Sequence, residues 1–135
     1  MKIAATLSLI AGLGLAPIAA HAKPPLRDVA QIDDALMMVA IADDLRKRCD
    51  AIDARMIAAF SYLRGLKADA RGLGYSDDEI DDYVTSDSEK TRMKAKAEAW
   101  LATKGVSRND RASYCSFGQQ EIAKGSQIGT LLRSR

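Results

Sequence analysis

Ile32-Asp33-Asp34-Ala35-Leu36-Met37-Met38-Val39-Ala40-Ile41-Ala42-Asp43-Asp44-Leu45-Arg46-Lys47-Arg48-Cys49 is the stretch whose reading decides the fold. Ile32, Leu36, Val39 and Ala40 recur at helical spacing on one stripe, and Met38, Ile41 and Leu45 form a neighbouring one. A helix with so wide an apolar surface needs cover from several sides, which predicts that it is the central helix of an all-α domain. Arg46-Lys47-Arg48 closes it with three cations, which suit the negative end of the helix dipole. The uninterrupted apolar run, Ala35 to Ala42 between Asp34 and Asp43, falls far short of the roughly 20 residues of a membrane-spanning helix.

Downstream, Asp50 is a candidate cap for a second helix, in which Ile52, Met56, Ala59, Phe60, Leu63, Leu66 and Ala70 keep an amphipathic spacing until Gly72-Leu73-Gly74 stops it. Ser76-Asp77-Asp78-Glu79 is a capping box and predicts a short third helix carrying Ile80, Tyr83 and Val84. Ser86-Asp87-Ser88-Glu89 repeats the signature before a fourth helix with Met93, Ala97, Trp100 and Leu101 on one face, ending at Lys104-Gly105. Asn109-Asp110 starts a fifth helix that runs through Cys115 and Ile122 to Lys124, where Gly125 breaks it before an apolar turn at Ile128, Leu131 and Leu132. No alternating stretch competes as a strand, and no internal repeat is present. The fold class expected is therefore all-α, a compact bundle of about five helices with the first two paired.

Upstream, Lys23-Pro24-Pro25 reads as a short extended leader, because proline fixes its own φ and biases its predecessor away from helix. Before it lie a basic start at Lys2, an apolar stretch from Ile3 to Ala16, and the small-residue end Ala20-His21-Ala22. That order is the pattern of a cleaved secretion signal. Residues 1–22 are expected to be removed between Ala22 and Lys23, leaving residues 23–135 as one helical domain in the periplasm. Without a twin arginine or a lipid-accepting cysteine at the cut, the general secretion route is implied.

Cys49 and Cys115 are the two cysteines, and an even number in an exported chain predicts a disulfide. Sixty-six positions apart, they do not have the Cys-x-x-Cys spacing of a catalytic redox pair. Closing so long a loop is worth about 4 kcal/mol by the chain-entropy argument.

Charge and composition narrow the function classes. Lys plus Arg number 20 against 18 acids, a near balance that argues against a nucleic-acid binder. The single histidine, His21, falls within the expected signal, so the mature part offers no imidazole base, no usual serine triad and no histidine metal ligand. The acidic cluster Asp77, Asp78, Glu79, Asp81 and Asp82 does not follow a calcium-loop order and is explained by its place at a helix start. No catalytic, metal or cofactor-binding residue is assigned, and no cofactor is expected. Arg46, Lys47 and Arg48 with Tyr75 and Tyr83 are the candidates for a partner surface. Lys90, Arg92, Lys94 and Lys96 read as a solvated face spread around their helix, and Trp100, sharing a face with Met93 and Ala97, reads as core. Gly125-Ser126-Gln127-Ile128-Gly129 reads as a helix stop and turn rather than an anion nest.

Several segments carry a resemblance: Ala42-Asp43-Asp44-Leu45-Arg46 leading to Cys49, Ile52-Asp53-Ala54-Arg55-Met56, Leu73-Gly74-Tyr75-Ser76 leading to Glu79-Ile80, Tyr114-Cys115, and Glu121-Ile122-Ala123-Lys124-Gly125-Ser126-Gln127-Ile128-Gly129. Together they resemble a family of small exported alphaproteobacterial helical proteins of unknown function. The resemblance implies an all-helical secreted domain and brings no catalytic or binding residue with it. Some of these relatives carry a label as a subunit of NADH dehydrogenase. The iron–sulfur subunit usually so named needs four thiolates, and this chain has two cysteines.

The functional expectation is a non-enzymatic periplasmic interaction or accessory protein whose partner is another envelope protein, without nucleic acid and without a transmembrane segment after cleavage. Two alternatives stand beside it: an accessory or assembly factor on the outer face of a respiratory membrane complex, and an envelope-acting hydrolase or inhibitor. Peripheral membrane contact would require Arg46 to Arg48 and Lys90 to Lys96 to converge in space. A shallow apolar groove would favour a binding module, and paired carboxylates in a deep cleft would favour an enzyme.

Overall fold

A computed structural model describes residues 22–135, so the expected signal segment lies outside the described residues apart from Ala22. A 3-10 turn at Leu26–Asp28 leads into α1 (Ala30–Arg48). The short strand β1 (Ile52–Ala54) and α2 (Met56–Gly72) follow, then α3 (Asp77–Thr85), α4 (Asp87–Thr103), α5 (Arg111–Lys124), α6 (Gln127–Thr130) and the terminal strand β2 (Leu132–Ser134). The architecture is the expected helical bundle with one disulfide, enlarged by a sixth short helix and a two-stranded ribbon.

α1 is central, as its apolar circumference requires. It lies against α4, α5, α6, α2 and β1, and its most extensive partner is α4 rather than α2. The deepest stripe is Met37, Ile41 and Leu45, spaced by four and each at most 4% exposed. Around it pack Ile52, Met93, Ala97, Leu101, Tyr114, Phe117, Ile128, Leu131 and Leu132, with Trp100 edge-on to Phe117 at 6.0 Å between ring centres. A second, smaller cluster gathers Leu26, Ile32, Leu66, Ala70, Tyr75 and Ile80 at the other end of α1.

Two local expectations are corrected at the start of α2. Asp50 does not cap it: the helix begins at Met56 after Arg55, which makes no side-chain cap. Ile52, expected inside that helix, stands in β1 and pairs with Ser134 in an antiparallel register that also joins Asp53 to Arg133 and Ala54 to Leu132. The flanking amides continue the ribbon, Arg55 donating to the Leu131 carbonyl at 2.8 Å and Arg135 to that of Ala51 at 2.9 Å. Buried backbone groups must be paired, and after Cys49 the C-terminal chain supplies the partners that another helical turn would have supplied.

The remaining boundaries follow the sequence. Ser76 Oγ accepts from the Glu79 amide and the Glu79 carboxylate accepts from the Ser76 amide, a complete capping box. Ser86 caps α4 through the Glu89 amide, but the Glu89 carboxylate turns away to Arg92 and Arg27 instead of closing the box. Asp110 caps α5, and Gly125 ends it in the left-handed region at φ 62°. The Gly125 and Ser126 amides bond to carbonyls of α5, and the Gly129 amide bonds to Ser126 Oγ, so this turn is a helix stop followed by a cap. Gly129 is required sterically: a Cβ there would lie 1.9 Å from the Glu121 carbonyl oxygen.

Cys49 at the end of α1 is bonded to Cys115 in α5, with a Cα–Cα distance of 5.1 Å. The leader is also anchored. Lys23 Nζ donates to the Gly74 carbonyl at 2.6 Å and to Glu79 at 2.9 Å, while Tyr75 donates its hydroxyl to the Pro24 carbonyl at 2.6 Å.

Candidate functional site

Asp33, on the same spacing as Met37, Ile41 and Leu45, is buried at 2% exposure and must find partners. They come from two other helices. Arg92 reaches it at 2.5 Å, Lys96 at 2.6 Å, and Tyr83 donates its hydroxyl to the same carboxylate. Arg92 also pairs with Glu89 at 2.7 Å, and Lys96 with Asp34 at 2.5 Å. Arg27, just before α1, pairs with Glu89. Burial opposes the Asp33 charge, yet the hydrogen bonds from Arg92, Lys96 and Tyr83 outweigh it and hold the carboxyl at about 2. Burial and the Asp33 carboxylate push the Tyr83 hydroxyl well above its ordinary range. Both Asp33 oxygens are engaged by donors, so the group fastens α1 to α3 and α4 and offers no free base.

The concave surface lies beside this latch, along the face of α1 that the core leaves half covered. Leu36, Val39 and Ala40 form its floor, α4 supplies one wall through Met93 and Ala97, and Tyr83 and Val84 of α3 close one end. This section holds about 760 Å³. Past Leu63 of α2 it continues between α1 and α2 over Val39, Ala59 and Phe60, and past Val84 it opens into a smaller apolar recess at Leu66 and Ile80. The lip on α2 is apolar and open: Met56 is 53%, Phe60 59% and Ile57 87% exposed. A separate concavity between α1, α2 and α6, of about 600 Å³ near Tyr62, Asp69 and Gln127, lacks such a continuous apolar floor.

Charge is distributed unevenly around the groove. Its acids are neutralised within the fold: Asp43 by Arg46 and Lys47, Asp44 by Arg48, and Glu89 by Arg27 and Arg92. Its two lysines on α4 are freer. Lys90 meets only the fully exposed Asp87 at 3.9 Å, and Lys94, also exposed, makes no ion pair among the described residues.

The five residues singled out from sequence as a partner surface are therefore placed differently from one another. Lys47 lines the groove and Tyr83 sits at its end, half-buried against Asp33. Arg46 is exposed and paired with Asp43, Arg48 is paired with Asp44 and lies 4.9 Å from the Tyr114 ring centre, and Tyr75 is buried beneath Lys23. Lys90 and Lys94 join Lys47 on the groove, whereas Arg92 and Lys96 turn inward, so the basic set on α4 divides into two stripes rather than scattering. Sequence reasoning missed the Asp33 latch. The signal was the acid at the head of the Met37, Ile41, Leu45 stripe, matched by Arg92 and Lys96 four residues apart.

Among the described residues no group of carboxylates or cysteines is arranged to hold a metal ion, and no helix is long and apolar enough to cross a membrane. No curated protein and no solved structure matches the chain. One family model does, over residues 24–133, and the chain belongs to that family, a family of unknown function designated DUF5333.

Proposed function

We propose that the chain is an exported, disulfide-braced binding module, active in the periplasm, that engages another envelope protein through the groove over α1. The observation that carries this reading is the half-covered state of Leu36, Val39 and Ala40. An apolar helix face in a small protein is ordinarily sealed by its own fold, and a large one left open marks an interaction surface. The exposed Met56, Ile57 and Phe60 at the lip extend that apolar area outward. The Cys49–Cys115 disulfide supports an oxidising compartment, and the signal-like residues 1–22 supply a route to it.

The test is photo-crosslinking in intact cells from a light-activated residue placed at Leu63 or Val84, with Thr103, remote from the groove, as the control. The expected outcome is an adduct of defined mass from the first two positions only. Equal labelling from all three, or none, overturns the reading. Fractionation of the same cells tests location: the chain belongs in the osmotic-shock fraction with both sulfurs protected from alkylation.

Peripheral membrane contact is the second reading, favoured by one observation: Lys47, Lys90 and Lys94 meet at the same groove. A bilayer is flat on the scale of this groove and would reach the convex lip at Ile57 rather than the floor at Val39. Salt-sensitive flotation with anionic vesicles would support the membrane reading.

A further inference from the structure

We propose that the occupant of the groove is an amphipathic helix of a partner protein whose apolar stripe is flanked by carboxylates; this rests on reading the groove as the binding surface. Three observations lead there. First, the surfaces that frame the groove are themselves helix faces. α1 presents Leu36, Val39, Ala40, Asp43 and Lys47, α4 presents Lys90, Met93, Lys94 and Ala97, and α2 presents Met56, Phe60 and Leu63. Each set recurs at three- and four-residue intervals, the ridge spacing into which another helix packs. The arrangement is that of a helical bundle with one position vacant.

Second, the dimensions suit a helix. From Leu36 to Lys47 the floor runs about 16 Å at the helical rise, room for about 11 residues or three turns of an added helix. An acyl chain gains most where it is enclosed on nearly all sides. Here the floor residues stay half-exposed, and the α2 lip stands open to solvent. A helix laid along α1 would cover floor and lip together.

Third, the charge available to a partner is positive. The carboxylates at the groove are bound by Arg27, Arg46, Lys47, Arg48 and Arg92, whereas Lys90 and Lys94 project from the α4 wall with little or no compensation. Arg64, exposed on α2 one position beyond Leu63, has no ion-pair partner among the described residues. A helix with Glu or Asp beside its apolar stripe gains pairs along the α4 wall, and one flanked by lysines is repelled there.

The probe is a pair of fluorescein-labelled helical peptides of 14 residues that share a leucine stripe spaced i, i+3, i+4, i+7 and i+11, one flanked by glutamates and the other by lysines. Fluorescence anisotropy with the disulfide-bonded protein should show the glutamate peptide binding at least tenfold more tightly. The double variant Lys90→Glu with Lys94→Glu alters exposed side chains only, and its fold is verified by circular dichroism and melting temperature. It should reverse the order of the two peptides. Equal affinities, or an order that the double variant leaves unchanged, overturn the proposal. So does oleate binding in place of either peptide, which would assign the groove to a lipid, or concentration-dependent self-association abolished by Val39→Glu, which would assign it to a second copy. If neither peptide binds while crosslinks from Leu63 persist in cells, the acidic helix is refuted and the groove remains a binding surface; loss of both removes the two readings together.

Discussion

Replacing Asp33 by Asn removes the charge on which three helices converge while keeping the shape of the side chain. Truncating one member of a buried ion pair costs about 3–5 kcal/mol where its partner is left without compensation. Arg92 and Lys96 are not left so, because Arg92 retains Glu89, Lys96 retains Asp34, and both side chains reach solvent. The expected loss at pH 6 is therefore below that range, about 2–3 kcal/mol. Its dependence on pH is the sharper test. The folded-state carboxyl titrates at about 2 against an ordinary 3.8. Because the folded value is the lower one, the Asp33 charge stabilises the protein fully above the unfolded value, and that contribution disappears as pH falls through the folded one. A separation of nearly two pH units corresponds to about 2.4 kcal/mol at full protonation, of which about 2 kcal/mol is lost by pH 2. Asn does not titrate, so the gap between wild type and Asp33→Asn should narrow by about that amount between pH 6 and pH 2. Urea unfolding followed by far-ultraviolet circular dichroism, with the disulfide oxidised and ionic strength fixed, measures both quantities. A gap under about 0.5 kcal/mol at pH 6, the range of ordinary surface substitutions, would refute the latch. A gap that stays constant down to pH 2 would refute the electrostatic reason given for it.

Three further outcomes are expected. Cys49→Ser with Cys115→Ser frees a loop of 66-residue separation and should lower stability by up to about 4 kcal/mol, read as a lower melting temperature that dithiothreitol reproduces in the wild type. Ser76→Ala removes the capping-box oxygen of α3 and should cost about 1 kcal/mol in urea unfolding; no measurable change would refute the assigned role of the cap. Two glycines should respond in opposite directions: Gly129→Ala drives a methyl into the Glu121 carbonyl and should cost about 1–3 kcal/mol or more, whereas Gly65→Ala, inside α2 with open space around it, should stabilise by about 0.5–1 kcal/mol.

The features legible in the sequence are those set by neighbours along the chain. Helix starts at Ser76 and Ser86 and stops at Gly74, Gly105 and Gly125 depend on local hydrogen bonding and on glycine's access to positive φ, so their positions follow from residue order. The features that were missed are long-range. The β1–β2 ribbon joins Ile52 to Ser134, and nothing near Ile52 announces a partner 82 positions away. Which face of α1 would be sealed was left undecided for a related reason. Apolar residues surround it, so periodicity alone could not decide that the stripe through Met37 would be sealed and the one through Leu36, Val39 and Ala40 left half-open. Likewise, the basic residues of α4 form two stripes only once Asp33 draws Arg92 and Lys96 inward and leaves Lys90 and Lys94 outside.

The position of the groove follows from how the fold is fastened. At one end of α1 the larger cluster is closed by the disulfide and the β1–β2 ribbon. At the other, the smaller cluster of Leu26, Ile32, Leu66, Tyr75 and Ile80 is closed by the anchored leader and the Asp33 latch. Leu36 packs against both clusters and belongs fully to neither. The open floor thus starts at Leu36, at the seam between the two braced halves, and continues over Val39 and Ala40 of the larger cluster, where an added helix would lie. Occupancy of the groove is then expected to slow amide exchange at Leu36, Val39 and Ala40 in mid-α1 more than near Leu45, which is already fully buried. Protection confined instead to the ends of α1 would mean that a bound partner grips the braces and leaves the seam untouched, and the binding surface would have to be sought elsewhere.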